Sequence, residues 1–453
     1  MRIPGCKRML RSRLQRWRND AHLGRVFKNF GLLVSGRGVA GLLALGTLAL
    51  MGRGLTPEEF GTVVLIQTLA MTAKGLLKID PWAAVIHYGV NALRCEDQSV
   101  FKRLVGYTFG VDLVSAVLAA ITVMTLTPLG AKHFGWNPHI LILAQLYGSF
   151  VFLSVESTPL GILRLFNRYD LLSLQGLVRP LLRLTGVATA YLIDAGLSGY
   201  LLAWYASNLA HNISLMLVAR HELRRNISGR LWVGIHPQQV HRECPHLWRY
   251  MLALYWQSLL DLVQKNLATL FMGGLFGSKA AGLYRVAWDM ANVLSKPVWM
   301  LRQSILPDLA RLWQNRDRAF RRLTLRSGLL AGSAASVIFV IVIFAGGPLI
   351  GAVMGDAYVE AATLLTLLVL AGTLDLYGFA LRPAGYAMGR PGVIVKINSV
   401  ATVLYLILLF GFSSSAGLLA PGLAAMAAAL LSLVSLSIAI VRMSRMPREP
   451  AQP

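Results

Sequence analysis

Hydrophobic runs long enough to cross a bilayer recur about twelve times along this chain, from about 30–51 to about 417–440, with short polar stretches between them. A run of about 20 apolar residues folds as a membrane-spanning helix, because the bilayer offers no partner to backbone groups left open. Composition agrees, since 55% of the 453 residues are hydrophobic and 14% are charged, against about 25% charged in soluble domains. The expected fold is an all-α polytopic membrane protein of about twelve transmembrane helices.

The formal charge of +24 would suggest a nucleic-acid partner in a soluble protein, but its distribution says otherwise. With the N-terminus inside, most of the 44 Lys and Arg fall in inner loops and tails, and the outer loops hold only Arg53, Lys132 and Lys279. That asymmetry orients helices in the membrane, so both termini are expected to be cytoplasmic and no nucleic acid is expected to bind. Residues 1–28 lack a cleavable signal pattern and read either as a basic amphipathic segment on the inner surface or as a basic tail. Cys6, Cys95 and Cys244 all map to the cytoplasmic side and imply no disulfide framework. No metal or cofactor is expected either, because His241-x-x-Cys244-x-His246 is an incomplete ligand set in a basic loop.

The inner loop 221–249 leaves six spans on each side. The expected organisation is a basic segment 1–28, a six-helix lobe 29–220, the linker 221–249, a second six-helix lobe 250–441 and a tail 442–453. Residues 49–70 align with 270–291 through Met51/Met272, Gly52/Gly273, Gly61/Gly282 and Ala70/Ala291. A second stretch agrees at nearly the same offset through Arg168/Arg390, Val178/Val400, Leu182/Leu404 and Leu184/Leu406. An even number of spans per repeat gives two pseudo-symmetric lobes about an axis along the membrane normal, with a substrate path between them.

Charges inside the spans are the candidates for function, since each mid-membrane Lys or Arg costs about 2.5 to 3.5 kcal/mol to insert. The cations are Arg37, Lys74, Lys78, Arg179, Arg183, Lys265, Arg285, Lys296 and Lys396, and the acids Asp112, Glu156, Asp261, Asp289 and Asp375. Lys78 and Lys396 lie within a turn of the inner boundary, where a lysine can snorkel. Asp261 with Lys265, and Arg285 with Asp289, are spaced i, i+4 and can neutralise each other. Arg179 and Arg183 sit roughly 12 and 18 Å along the fifth span, share one helix face and have no acid at i±3 or i±4. Either an acid elsewhere in the fold balances them or a ligand does. Their repeat mates are Ala401 and Tyr405, so the second copy folds without that charge, which favours a ligand with a phosphate or pyrophosphate head gripped by planar guanidinium forks. Arg37, Lys74, Lys265 and Lys296 complete the expected head-binding set. Asp112, Asp261, Asp289 and Asp375 are expected to serve ion coupling.

Several stretches resemble one family: "GRGLTPEEFGTVVLIQTLA" after the first span, "TPLGILRLFNRYDLLSLQGLVRP" at 158–180, "GSKAAGLYRVAWDMANVLSKPVWMLRQSILPDLARL" at 277–312, "MGDAYVEAATLLTLLVLAG" at 354–372 and "AMGRPGVIVKINSV" at 387–400. They are similar to the polysaccharide-biosynthesis flippases, the O-antigen (Wzx-type) translocators related to the multidrug and toxic-compound extruders (MATE). The resemblance covers roughly residues 28–440. It implies two lobes around a cationic cavity, alternating access, and transfer of a polyprenyl-pyrophosphate-linked oligosaccharide from the inner to the outer leaflet of the bacterial inner membrane. Membrane lipids, a polysaccharide polymerase and glycosyltransferases would then be its partners. Trp204, Tyr205, Tyr255, Trp256 and Trp288 could stack on sugar rings, or serve interface belts and lobe packing.

Four other activities stand against this expectation. A glycan polymerase or ligase needs a large outer loop, whereas the outer loops here are short and no nucleophile, metal or nucleotide motif occurs. A cation exporter should be lined with acids, but membrane cations outnumber membrane acids. Flippases of peptidoglycan precursors usually have more spans. A non-transporting accessory protein would need no buried cations.

Overall fold

The computed structural model describes residues 21–95, 97–227, 237–314, 319–388 and 390–445. These residues are helical almost throughout. The first half contains α1 (Ala21–Gly54), α2 (Pro57–Leu77), α3 (Trp82–Arg94), α4 (Gln98–Phe134), α5 (Pro138–Gly148), α6 (Ser157–Leu165), α7 (Tyr169–Leu192) and α8 (Gly196–Asn226). After the short α9 (Pro237–Glu243) come α10 (Leu247–Gln314), α11 (Ala319–Met354), α12 (Ala362–Tyr377), α13 (Leu381–Ala387), α14 (Pro391–Gly411) and α15 (Ala420–Arg445). Among the described residues, 7 stretches are long and apolar enough to cross a membrane: Pro57–Leu77, Gln98–Phe134, Pro138–Leu165, Ala319–Met354, Asp356–Ala387, Gly392–Gly411 and Ser413–Met443. The other hydrophobic runs lie on α1, α7, α8 and α10. On α7 and α8, polar residues such as Arg179, Arg183, Asn208 and His211 dilute the apolar pattern.

Local chemistry explains where the helices start, turn and break. At α2, the Glu59 carboxylate accepts the Thr56 N–H at 2.9 Å and the Thr56 hydroxyl accepts the Glu59 N–H at 3.3 Å, with Pro57 in the first helical position. This reciprocal cap satisfies two of the open donors at a helix N-terminus. In α10 the two hydrophobic runs join and turn at Gly277, whose φ of 82° favours glycine. Two spans break inside. α5 gives way to a 3-10 turn, Ser149–Leu153, and Ser154, Val155 and Glu156 before α6 begins. In the second half, α12 ends at Tyr377 and α13 starts at Leu381. Arg168 and Arg390, aligned with each other in the sequence, both stand immediately before the helix that follows the broken span, α7 and α14, without a side-chain capping hydrogen bond.

Contacts divide the chain into two compact units. The first comprises the described residues of 1–50, 73–131 and 137–259, and the second those of 51–72, 132–136 and 260–453. In the first unit α7 packs on α8 and α3 on α6, with Val85, Phe101, Val105, Ile162 and Leu223 in one buried cluster. In the second, α12 and α14 pack on α15 and α11 packs on α12, around Phe320, Phe379, Ile394, Leu436 and Ile440.

Residues 51–72 are bound within the second unit by specific contacts. Arg53 donates to the Ala352 carbonyl at 3.1 Å, and the Tyr358 hydroxyl donates to the Leu55 carbonyl at 2.9 Å. The repeat mates Gly61 and Gly282 pack on each other there. A methyl group built on Gly61 would lie 1.7 Å from the Ser278 carbonyl oxygen, and one on Gly282 would lie 2.7 Å from that of Pro57. Because the obstructing atoms are backbone, they cannot yield as a side chain would. Gly61→Ala is therefore expected to destabilise the protein by about 1–3 kcal/mol, read as a lower apparent Tm in detergent. Gly176→Ala, with nothing within 4 Å of its added methyl group, should leave the Tm unchanged.

Candidate functional site

The break between α5 and α6 is where the first unit gathers its charge. Lys74 and Lys78 lie one turn apart at the C-terminal end of α2, on one face. Asp112 comes from α4, Glu156 from the break itself and Arg179 from α7. The Lys74 ammonium is 2.5 Å from Glu156 Oε1, and Arg179 Nη2 is 3.4 Å from Glu156 Oε2. Lys78 Nζ lies 3.5 Å from Asp112, 3.7 Å from Glu156 and 4.0 Å from Asp80, and donates to the Ser154 carbonyl at 2.5 Å. Asp112 Oδ2 accepts the Thr158 N–H at 2.9 Å, which places a carboxylate on the N-terminus of α6, where the helix dipole favours an anion. The Trp82 N–H donates to the Ser157 hydroxyl at 3.1 Å. Backbone groups opened by the break are thus answered by charged and hydroxyl side chains from α2, α4 and the break itself.

Two expectations need correction here. Lys78 does not snorkel; its side chain is 3% exposed, because Asp112, Glu156 and a free carbonyl lie within reach and the membrane boundary is not its best partner. Arg179 is balanced by the fold, at least in part, since Glu156 approaches it from a span 23 residues earlier. A search for acids one helical turn away cannot find such a partner. Arg183, one turn further along α7, donates to Asn208 Oδ1 at 3.3 Å and the Ser207 hydroxyl at 3.5 Å, and its guanidinium lies 4.4 Å from the centre of the Trp204 ring. Asn208 donates onward to the Tyr147 hydroxyl at 3.0 Å.

The cluster is not sealed. Glu156 is 27% and Arg179 32% exposed, whereas Asp112 is fully buried. Arg179 Nε and His211 Nδ1 are buried without a hydrogen-bond partner, so donors or acceptors remain unused beside the carboxylate. The side chains of Arg37, Asp261, Lys265 and Lys296 lie outside the described residues. Asp289 pairs with Arg285 at 2.8 Å along α10. Asp375 pairs with Arg382 across the break between α12 and α13 at 3.0 Å.

In the second unit the mates of Arg179 and Arg183 line a cavity of about 480 Å³, together with Trp288, Asp375, Thr402 and Arg382. The corresponding places in the two repeats thus hold a charge cluster in one and a mainly apolar cavity in the other. Of the aromatic residues, Trp204 lies under Arg183, Tyr205 accepts from the Ser149 hydroxyl at 3.3 Å, Tyr255 bonds the Leu76 carbonyl, Trp288 lines the cavity and Trp256 is exposed. Sequence reasoning left Glu156 outside the head-binding and coupling sets. Its signal was "SVESTP" at 154–159, a helix-breaking run inside a hydrophobic stretch, which in a repeated membrane fold points to a binding site.

Comparisons with known proteins bear on this geometry. Residues 26–313 match the family model described as polysaccharide biosynthesis protein. The chain is 30% identical over 353 residues to the inner membrane protein YghQ of Escherichia coli strain K12, covering 78% of this chain and 99% of that one. Among solved structures, an inward-facing multidrug resistance MATE family transporter of the MOP superfamily aligns with a TM-score of 0.72 at 14% identity, covering 90% of this chain and 96% of that one. The lipid II flippase MurJ in an inward closed conformation aligns with a TM-score of 0.69 at 12% identity, covering 91% and 90%. These two likenesses are of fold.

Removing Lys78 would strand the fully buried Asp112, and truncating one partner of a buried pair costs about 3–5 kcal/mol. Lys78→Ala is accordingly expected to lower the apparent Tm in detergent strongly. Lys396→Ala, at an exposed position, should leave it within error of the wild type.

Proposed function

Because this chain belongs to the polysaccharide biosynthesis protein family, we propose that it is a flippase of the bacterial inner membrane that carries a polyprenyl-pyrophosphate-linked oligosaccharide from the inner to the outer leaflet. The observation that carries this reading is the pair Lys74 and Arg179 gathered at a broken span beside the partly exposed Glu156, with Lys78 buried behind them and Arg183 one turn further along α7. In a site of low dielectric such a group attracts a pyrophosphate far more strongly than in water. The glycan would lie beside the cluster while the polyprenyl chain stays in lipid.

This reading takes twelve spans in two six-helix lobes, 29–220 and 250–441, with both termini cytoplasmic, as the distribution of Lys and Arg requires. Transport needs no covalent step, so no enzymatic activity is assigned. Ion coupling falls to Asp261, Asp289 or Asp375, of which Asp289 and Asp375 are 32% and 39% exposed, while Asp112 is held by Lys78 and the start of α6. A polymerase and glycosyltransferases acting on the same lipid-linked sugars are the expected partners.

A second reading, export of an organic cation, draws on the cavity of the second unit, where Asp375 stands beside Trp288 and Tyr405. Arg382 at 3.0 Å from Asp375 already supplies a cation there, which favours the lipid-linked anion.

The test is reconstitution in liposomes containing a pyrophosphate-linked lipid oligosaccharide, with leaflet exchange followed over time. Wild type should exchange the lipid, and Arg179→Ala/Arg183→Ala should slow it at least about ten-fold, a rise of about 1.4 kcal/mol or more in the transport barrier, while remaining folded. No exchange by the wild type, with or without an imposed ion gradient, together with efflux of an organic cation such as ethidium, would overturn the proposal.

A further inference from the structure

A cationic site inside a phospholipid membrane faces a selectivity problem. Phosphodiester lipids with one negative charge are far more abundant than any glycan carrier, and a bare group of Lys and Arg would fill with them. The cluster around the α5–α6 break contains an answer. Both oxygens of Glu156 are engaged, Oε1 by Lys74 at 2.5 Å with Lys78 at 3.7 Å, and Oε2 by Arg179 at 3.4 Å. One carboxylate thus spans the cations that a phosphate oxygen pair would span. Although Glu156 is the residue before the first turn of α6, its side chain makes no capping hydrogen bond; it is turned to the cations instead. Its remaining charged and titratable surroundings are Asp112 and Asp80, both on Lys78, and His211, whose Nδ1 is buried without a partner, as is Arg179 Nε.

We propose that Glu156 is a specificity-determining residue, an internal anion that occupies the headgroup site at rest and yields it only to a head carrying more than one negative charge. This rests on the headgroup reading of the site given above. An incoming head must displace Glu156 from Lys74 and Arg179. A singly charged phosphodiester exchanges one negative charge for another and gains almost nothing in Coulomb energy, while its polar atoms lose water. A pyrophosphate brings surplus charge, spreads it over more oxygens and engages the Arg179 fork more completely. The carboxylate therefore raises the threshold for every anion and leaves only the multiply charged ones above it. This is selection by a repulsive element built into the site, not by an added attraction.

The experiment is equilibrium binding of two short-chain probes to the purified full-length protein in detergent: farnesyl pyrophosphate, and dihexanoyl phosphatidylglycerol with its single charge. Wild type is expected to bind the pyrophosphate about 30-fold or more tighter than the phosphatidylglycerol, which stays unbound at concentrations that saturate the pyrophosphate. The cost of displacing Glu156 is common to both probes, so Glu156→Gln is expected to tighten both by about ten-fold or more and to bring phosphatidylglycerol above the threshold for binding. Glu156→Asp, which keeps the charge, should behave as wild type. Phosphatidylglycerol affinity that is unchanged or weaker in Glu156→Gln, or a wild type that binds both probes alike, would overturn the inference. If Glu156→Gln does not fold, Lys74→Met/Glu156→Gln removes the pair together and leaves Arg179 without its competitor. Phosphatidylglycerol affinity no higher than wild type in that variant overturns the inference equally. A wild type that binds neither probe refutes the headgroup site itself, an outcome distinct from a Glu156→Gln substitution without effect.

Discussion

A helix broken inside a membrane must find partners for the backbone groups it opens, and charges placed there must find each other. In the first unit these two requirements meet in one place. Lys78 holds the Ser154 carbonyl and Asp112, Asp112 holds the Thr158 N–H, and Glu156 is left to bridge Lys74 and Arg179. Each group alone would be costly in a bilayer, since a buried polar or charged atom without a partner loses its solvation and gains nothing. Together they make a break that is stable and a charge cluster that stays partly open. The inner members, Lys78 and Asp112, fix the backbone, while the outer ones, Lys74, Glu156 and Arg179, remain within reach of a ligand.

Internal repetition shows which of these features belong to the architecture. Gly61 and Gly282, matched in the sequence alignment, pack on each other where a side chain would meet backbone, and Arg168 and Arg390 stand at the starts of the aligned helices α7 and α14. At the midpoint of α7 and its counterpart α14 the match fails, with Arg179 and Arg183 replaced by Ala401 and Tyr405 and a cluster replaced by a cavity of about 480 Å³. A difference between copies of one fold points to function, because packing alone does not require it.

Much of the fold was legible in the sequence because membrane insertion depends on local quantities. Run length, hydropathy and the side on which Lys and Arg collect are all read within about 20 residues, and the helices lie on the runs they mark. The contact of Gly61 with Gly282 joins two residues that the sequence alignment of 49–70 with 270–291 had matched. The pairing inside the site was not. Glu156 lies 82 residues from Lys74 and 23 from Arg179, beyond any i, i+4 rule, and its position depends on a helix break that hydropathy averages away. For the same reason Lys78, near the end of a hydrophobic run, read as a boundary residue when its partners were on α4 and at the break. Lys74 and Arg179 were found by depth and sign of charge, but the anion that holds them at rest was not.

On the proposed function, a lipid pyrophosphate takes the place of Glu156 between Lys74 and Arg179. Photo-crosslinking tests it most directly: a polyprenyl-pyrophosphate sugar bearing a diazirine beside the pyrophosphate is bound to the purified protein, irradiated, and the adducts mapped by mass spectrometry. Adducts on the peptides around Lys74, Glu156 and Arg179, lost on competition with unlabelled pyrophosphate lipid, are the expected result. Adducts confined to the second unit around Trp288 and Tyr405 would contradict it.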